Sequence, residues 1–352
     1  MQFEPRLSPR ISEIKSLKQL EQYFPPATDS PGKLEPREYE FFQHGAEVPF
    51  ETTVRSYSPV NAWYLSDLAY LAYTDCPAAA DVERAVTPAL ARLFRSSPSV
   101  KAFLGSARRW GKPDLEDPIQ CIVAHNASVG FVTFRGTLPQ SAQNWLTDAE
   151  LIPTREEGPV RMLVHEGFQG ALDGVWQSGQ PEGVEQYLAG VVRNSPNLPW
   201  WFTGHSLGAA LATLAARRFG HAHALYTYGS PKVGDAAFVA QVEHSVATHY
   251  RIVNYHDVVA HFPHIPPFEH AGNLKQIEEH EAASLYITRL WQRVRRLFGN
   301  PPWDATVQEL FNHLGQLKSN IEERRLLRSF ADHAPIFYSK ILWNRYVAKS
   351  DS

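Results

Sequence analysis

Bulky apolar positions recur along this chain with two different periods, and the alternation between them lays out its architecture. Ile11 to Tyr23 carries Ile14, Leu17, Leu20 and Tyr23 at helical spacing. The run Asn61 to Thr74, NAWYLSDLAYLAYT, spaces its large apolar groups as a buried helix does, and Ala79 to Leu104 reads as a helical pair. The pattern then shortens. Gln120 to Ala124 and Gly130 to Phe134 are β-prone runs separated by His125-Asn126-Ala127-Ser128, which predicts a hairpin. Val164 to Phe168 leads into a helix reaching about Asn194. A short apolar run, Trp200 to Thr203, precedes an alanine-rich helix, and strand-like LYTYGSP (225–231) and YRIVNYHD (250–257) follow. Strands alternating with helices predict an α/β fold with a mostly parallel, doubly wound sheet.

The helical period returns between Lys275 and Phe330. Ile287, Leu290, Trp291, Val294, Leu297 and Phe298 make one face, with Arg289, Arg293, Arg295 and Arg296 largely outside it. After the break at Gly299-Asn300-Pro301-Pro302, a second helix carries Val307, Leu310, Phe311, Leu314, Leu317 and Ile321. This stretch reads as a helical hairpin packed on the core, or as a lipid-facing cap, since a basic amphipathic helix suits an anionic interface. The expected layout is an arm over 1–55 and one domain over 56–352, with 275–330 as a helical insertion.

Composition narrows the possible functions. The 352 residues are 43% hydrophobic and 20% charged, as in a globular protein with a large core. A net charge of −3 implies no general affinity for nucleic acid. The two cysteines, Cys76 and Cys121, make no disulfide framework and read as buried thiols. The stretch MQFEPRLSPRISEIKS has no apolar core of a secretory signal, so the expected location is cytoplasmic, or outside the cell after loss of a leader. No run approaches the ~18 apolar residues of a spanning helix.

Chemistry enters at Gly204-His205-Ser206-Leu207-Gly208, a G-x-S-x-G pattern between a strand and a helix. Glycine is needed on both sides of so tight a turn, and Ser206 at its apex would stand at the positive end of the following helix. A serine hydroxyl needs a base to take its proton and an acid to orient that base. Asp257, just after a β-prone run, fits the acid; Asp235 in SPKVGDAAF better suits a helix cap. Downstream lie His261, His264, His270, His280, His313 and His333, and His333 has the best context, directly before the apolar run APIFYSKIL. The oxyanion of such a reaction needs two donors. One is the Leu207 backbone N–H; Gly136-Thr137, at the end of a strand, offers the other unless it is an ordinary turn. His256, His261, His264 and His270 allow a metal site by spacing, but no CxxC or HExxH pattern supports one, and no cofactor is expected.

Seven blocks in order resemble the class 3 (fungal-type) lipase family: Phe134-Arg135-Gly136-Thr137, Trp145-Leu146-Thr147-Asp148, Val164-His165-Glu166-Gly167-Phe168, Gly204 to Gly208, Tyr228 to Gly234, Asn254 to Asp257, and Asp332-His333. The resemblance covers about residues 60–275 and the last 25 or so. It implies an α/β-hydrolase fold, a Ser206-Asp257-His333 triad, an oxyanion hole from Thr137 and Leu207, and a short lid over Leu138 to Leu146. The chain departs from the family in having few cysteines, Val258-Val259-Ala260-His261-Phe262-Pro263 after Asp257 where the family shows Val-Pro-x-x-Pro-Pro, and the extra helical stretch before His333. The expected activity is hydrolysis of carboxylic esters of lipids, with peripheral contact at a lipid–water interface. Phospholipase A1, monoacylglycerol lipase or acyl transfer on the same triad are the neighbouring possibilities, and a non-catalytic binding protein on a hydrolase scaffold is the distant one.

Overall fold

A computed structural model of the chain describes residues 40–109, 112–137, 152–177, 182–254, 257–263, 266–277 and 332–347. The sorting rule of its sheet is visible in two short strands, β3 (Gly130–Phe134) and β6 (Trp200–His205). Phe131 and Trp201 project into one apolar layer, while Val132, Phe134, Trp200 and Phe202 project into the other. Every residue of both strands is buried, so period-two alternation here divides one core from another, and not core from solvent.

Those two strands are the centre of a seven-stranded sheet of order β1-β2-β3-β6-β7-β8-β9. The remaining strands are β1 (Ser99–Arg109), β2 (Lys112–His125), β7 (Ala224–Tyr228), β8 (His249–Val253) and β9 (Asn273–Gln276). Pairing is antiparallel from β1 to β3 and parallel from β3 to β9. A separate two-stranded ribbon joins β4 (Pro153–Glu156) to β5 (Met162–His165). On one face lie α1 (Pro59–Leu71), α2 (Ala79–Phe94) and the C-terminal α7 (Pro335–Leu342), which runs on into a π-type turn, Trp343–Val347. On the other lie α3 (Glu166–Trp176), α4 (Val184–Asn194), α5 (Leu207–Phe219) and α6 (Ala236–Ser245). A mostly parallel sheet with helices on both faces and a strand–serine–helix turn in its centre is the α/β-hydrolase arrangement.

Several elements differ from the sequence expectation. The helical pair over 79–104 is one helix followed by β1, because Arg95 takes a left-handed turn (φ 53°) that ends α2. The expected single helix up to Asn194 is α3 and α4. Asn273 to Gln276 pairs with β8, so Lys275 begins no helix; Lys275 instead lies over the rings of Tyr57 and Tyr250. Residues 278–330 of the 275–330 stretch, the amphipathic Ile11–Tyr23 piece and Leu138 to Leu146 lie outside the described residues. Cys76 and Cys121 are buried and not joined.

A buried carboxylate ties α7 to α1. The Ser339 hydroxyl donates to the buried Asp67 carboxylate of α1, which also accepts the Phe42 N–H at 2.8 Å. The residues just before α1 are seated by Trp201 Nε1 donating to the Thr52 carbonyl (3.1 Å) and Thr248 Oγ1 to the Arg55 carbonyl (2.8 Å).

Three histidines make this fold acid-sensitive. Burial pushes His165 down from 6.5 to about 4. Burial and then the adjacent Arg251 push His249 and His270 down to about 3. These rings stay neutral in the folded chain while their unfolded counterparts protonate below 6.5, so the unfolded state binds more protons in that interval. Stability is therefore full above 6.5 and falls as the pH drops toward about 4. Urea midpoints at pH 7, 5.5 and 4.5 should fall in that order; a flat profile would refute the assignment.

Candidate active site

The turn at the end of β6 is built from backbone contacts that tolerate almost no added atom. A Cβ on Gly204 would fall 2.2 Å from the Gly208 carbonyl oxygen, and one on Gly208 would fall 2.2 Å from the Phe134 carbonyl oxygen. The chain reverses at Ser206, whose φ of 59° and ψ of −129° lie in a region that costs a non-glycine residue about 1–3 kcal/mol. The strain is held by the Ser206 N–H donating to the Tyr228 carbonyl of β7 at 3.0 Å. Leu207 opens α5, so its N–H belongs to the group at a helix start that has no partner within the helix. Ser206 itself is buried, and among the described residues its Oγ has no hydrogen-bond partner.

The Gly136-Thr137 loop comes to the elbow directly from β3. A Cβ on Gly136 would lie 3.1 Å from Ser206 Cβ. The Thr137 hydroxyl is buried and without a partner among the described residues. The order of strands makes this contact inevitable: β3 pairs with β6 in parallel, residue 134 opposite 204, so both chains leave the sheet at the same edge.

Two strands over from β6, the chain leaving β8 delivers Asp257. Its carboxylate is fully buried and saturated with donors. Oδ1 accepts the N–H groups of Val259 (2.9 Å) and Ala260 (3.3 Å), which a single 3₁₀ turn over Val259–His261 turns back toward it. Oδ2 accepts His333 Nδ1–H at 2.8 Å and the Tyr338 hydroxyl at 2.5 Å. Burial alone raises the carboxyl, but the opposing His333, its hydrogen bond and the Tyr338 bond outweigh it and hold Asp257 below its usual value. Burial, then the Asp257 charge, push the Tyr338 phenol well up, so it stays a donor. Tyr338 also accepts the Asn254 N–H (3.1 Å), and Asn254 Nδ2 donates to the Asp332 carbonyl (2.9 Å). The acid and the base are thus tied by neighbouring residues on both sides.

His333 lies 76 residues after Asp257 and just before α7. Its ring centroid is 4.4 Å from that of His205, the residue preceding Ser206, and its Nε2 is buried without a partner among the described residues. The structure therefore brings Ser206, Asp257, His333 and the Gly136-Thr137 loop together. Among the described residues neither His261 nor His270 hydrogen-bonds the acid: His261 ends the 3₁₀ turn, and His270 bonds the Ala260 backbone. His256, His264, His280 and His313 lie outside the described residues. Asp235 caps α6, accepting the Phe238 N–H at 2.9 Å. Among the described residues no three His, Cys, Asp or Glu side chains group as a metal site. Tyr338 was not a candidate from sequence; it stood within an apolar helical run where a tyrosine reads as packing.

Residues 131–266 match the family model described as lipase (class 3), a span that holds Thr137, Ser206, Leu207 and Asp257 but not His333. The chain is 31% identical over 169 residues to a lipase of Rhizomucor miehei, covering 45% of this chain and 44% of that one. It is 34% identical over 145 residues to the secreted mono- and diacylglycerol lipase A of Penicillium cyclopium, covering 40% and 45%. The chain thus spans less than half the length of these curated relatives. Among solved structures, Rhizomucor miehei triacylglyceride lipase aligns at a TM-score of 0.39 and 28% identity, over 46% of this chain and 62% of that one.

Gly229 marks how little room the pair has. Its φ is +56°, and a Cβ there would fall 2.4 Å from Asp257 Oδ2 and 2.8 Å from His333 Nδ1. Gly229→Ala should abolish the low-field imidazole N–H resonance of the His333–Asp257 bond and cost about 1–3 kcal/mol of stability. Tyr338→Phe should keep that resonance and lose about 1.5–3 kcal/mol, the worth of a hydrogen bond to a charged group. Proton NMR and denaturant unfolding check both.

Proposed function

We propose, from the match of residues 131–266 to the class 3 lipase model, that this chain hydrolyses carboxylic esters of lipids through an acyl-enzyme on Ser206. One observation carries the proposal: a buried carboxylate holds His333 Nδ1 at 2.8 Å beside a strained serine elbow, while Ser206 Oγ and His333 Nε2 each have no hydrogen-bond partner among the described residues. In that arrangement His333 Nε2 takes the Ser206 proton as Oγ attacks the ester carbonyl, and returns it to the departing alcohol. Asp257 holds the Nδ1–H tautomer and stabilises the imidazolium. The Leu207 N–H and Thr137 receive the oxyanion, each donor supplying on the order of 3 kcal/mol. Water then attacks the acyl-enzyme by the same proton path in reverse. None of these steps calls on a metal or an organic cofactor.

The substrate class we favour is acylglycerol, since the relatives with 34% identity are named mono- and diacylglycerol lipases. Contact with the lipid surface is peripheral in this proposal: among the described residues no helix is long and apolar enough to cross a membrane. The basic amphipathic sequence near 285–298 is the surface we assign to that contact. Residues 1–55 form an arm on a single hydrolase domain in the same proposal, which the seating of Thr52 and Arg55 supports.

A fluorophosphonate probe should label the wild-type protein at Ser206 and leave Ser206→Ala unlabelled. Hydrolysis of p-nitrophenyl esters should fall in Ser206→Ala by about 10⁴-fold or more. Ester hydrolysis surviving that substitution would overturn the proposal. On a panel of lipids, mono- and diacylglycerols should be cleaved faster than phosphatidylcholine; the reverse order would reassign the substrate to phospholipid.

A further inference from the structure

Two buried residues outside the triad meet all three of its supports. Tyr73, two residues beyond the end of α1, has its hydroxyl 2.8 Å from His205 Nδ1. A Cβ on Gly136 would fall 2.2 Å from that hydroxyl, so Tyr73 also sits directly against the loop that carries Thr137. His205, the last residue of β6, hydrogen-bonds the His333 carbonyl oxygen through Nε2. Both side chains are buried.

We propose that Tyr73 and His205 are positioning residues: a hydrogen-bonded rod, Tyr73 O–H to His205 Nδ1 and His205 Nε2–H to the His333 carbonyl, that sets the general base against the serine elbow and the oxyanion loop. The direction of the rod follows from donor chemistry. A backbone carbonyl only accepts, so Nε2 carries the hydrogen; in a neutral ring Nδ1 then holds a lone pair, and Tyr73 must donate to it. Burial, and then the neighbouring His333, hold the His205 pKa well below its ordinary value. That neutrality has a purpose in the reaction. The His333 ring, 4.4 Å away, becomes positive when it takes the serine proton, and a second imidazolium at that distance would oppose it. His205 therefore supports the base sterically and by hydrogen bond without adding charge.

This inference rests on His333 as the base, and its test separates the two. In protein labelled with ¹⁵N-histidine, His205 should be fixed as the Nε2–H tautomer in the wild type, and its Nδ1 resonance should shift in Tyr73→Phe as the phenol hydrogen bond is lost. That readout needs no activity, and a wild-type Nδ1–H tautomer would overturn the rod even if Ser206 is confirmed as the nucleophile. In kinetics, Tyr73→Phe should lower kcat on a p-nitrophenyl ester by roughly tenfold, the scale of one hydrogen bond, with KM within about twofold. His205→Leu should lower kcat further, and Tyr73→Phe added to it should cost nothing more. His205→Gln, whose amide donates and accepts at similar reach, should recover most of the loss. Additive losses in the double variant, or wild-type kcat in a folded Tyr73→Phe, would mean packing alone. Thermal unfolding of each variant separates these outcomes from failure to fold.

Discussion

A carboxylate with no exposure to water must be surrounded by donors, and Asp257 is such a group. Meeting that requirement takes donors from three places in the chain: the backbone N–H groups of Val259 and Ala260, His333, and Tyr338. Removing any one leaves a buried charge with fewer donors, so the local geometry has few alternatives. The same bonds that satisfy the charge orient the imidazole. Placement of the base and solvation of the acid are one arrangement.

Strain is concentrated on the other side of the site. Ser206 adopts a costly conformation, while its neighbours are held by short-range contacts: glycines at 204 and 208, the Tyr228 carbonyl, and the His205 ring between Tyr73 and His333. Parallel pairing of β3, β6 and β7 supplies the leverage, because all three strands end at the same edge. An elbow on a less complete sheet would relax.

The parts legible from sequence are those fixed by local rules. Glycines flanking Ser206, the β-prone and apolar runs of β3 and β6, and Asp235 before α6 each carry a short-range physical signature, and each is found where expected. The Ser206, Asp257 and His333 positions could be chosen because their contexts are a turn, a strand end and a helix start. What escaped depends on long-range pairing. β1 has helix-like composition before a partner strand is known, and β9 takes its conformation from β8. Tyr73 and Tyr338 look like packing residues until the hydroxyl partners, 132 and 81 residues away, are in view.

Ile277 and Asp332, the described residues on either side of 278–331, are held at nearly one point. The Ile277 N–H bonds the Val253 carbonyl at 3.0 Å, and the Asp332 carbonyl accepts from Asn254 at 2.9 Å. The two are therefore pinned to consecutive residues at the end of β8. The entropic cost of closing a chain between fixed ends grows only with the logarithm of its length, about 0.6 kcal/mol per doubling for a flexible segment. A change in the number of residues between these two fixed points therefore costs little in closure entropy while Asp257 and His333 keep their places. Substrate preference can then diverge among such proteins while the machinery beneath it stays the same.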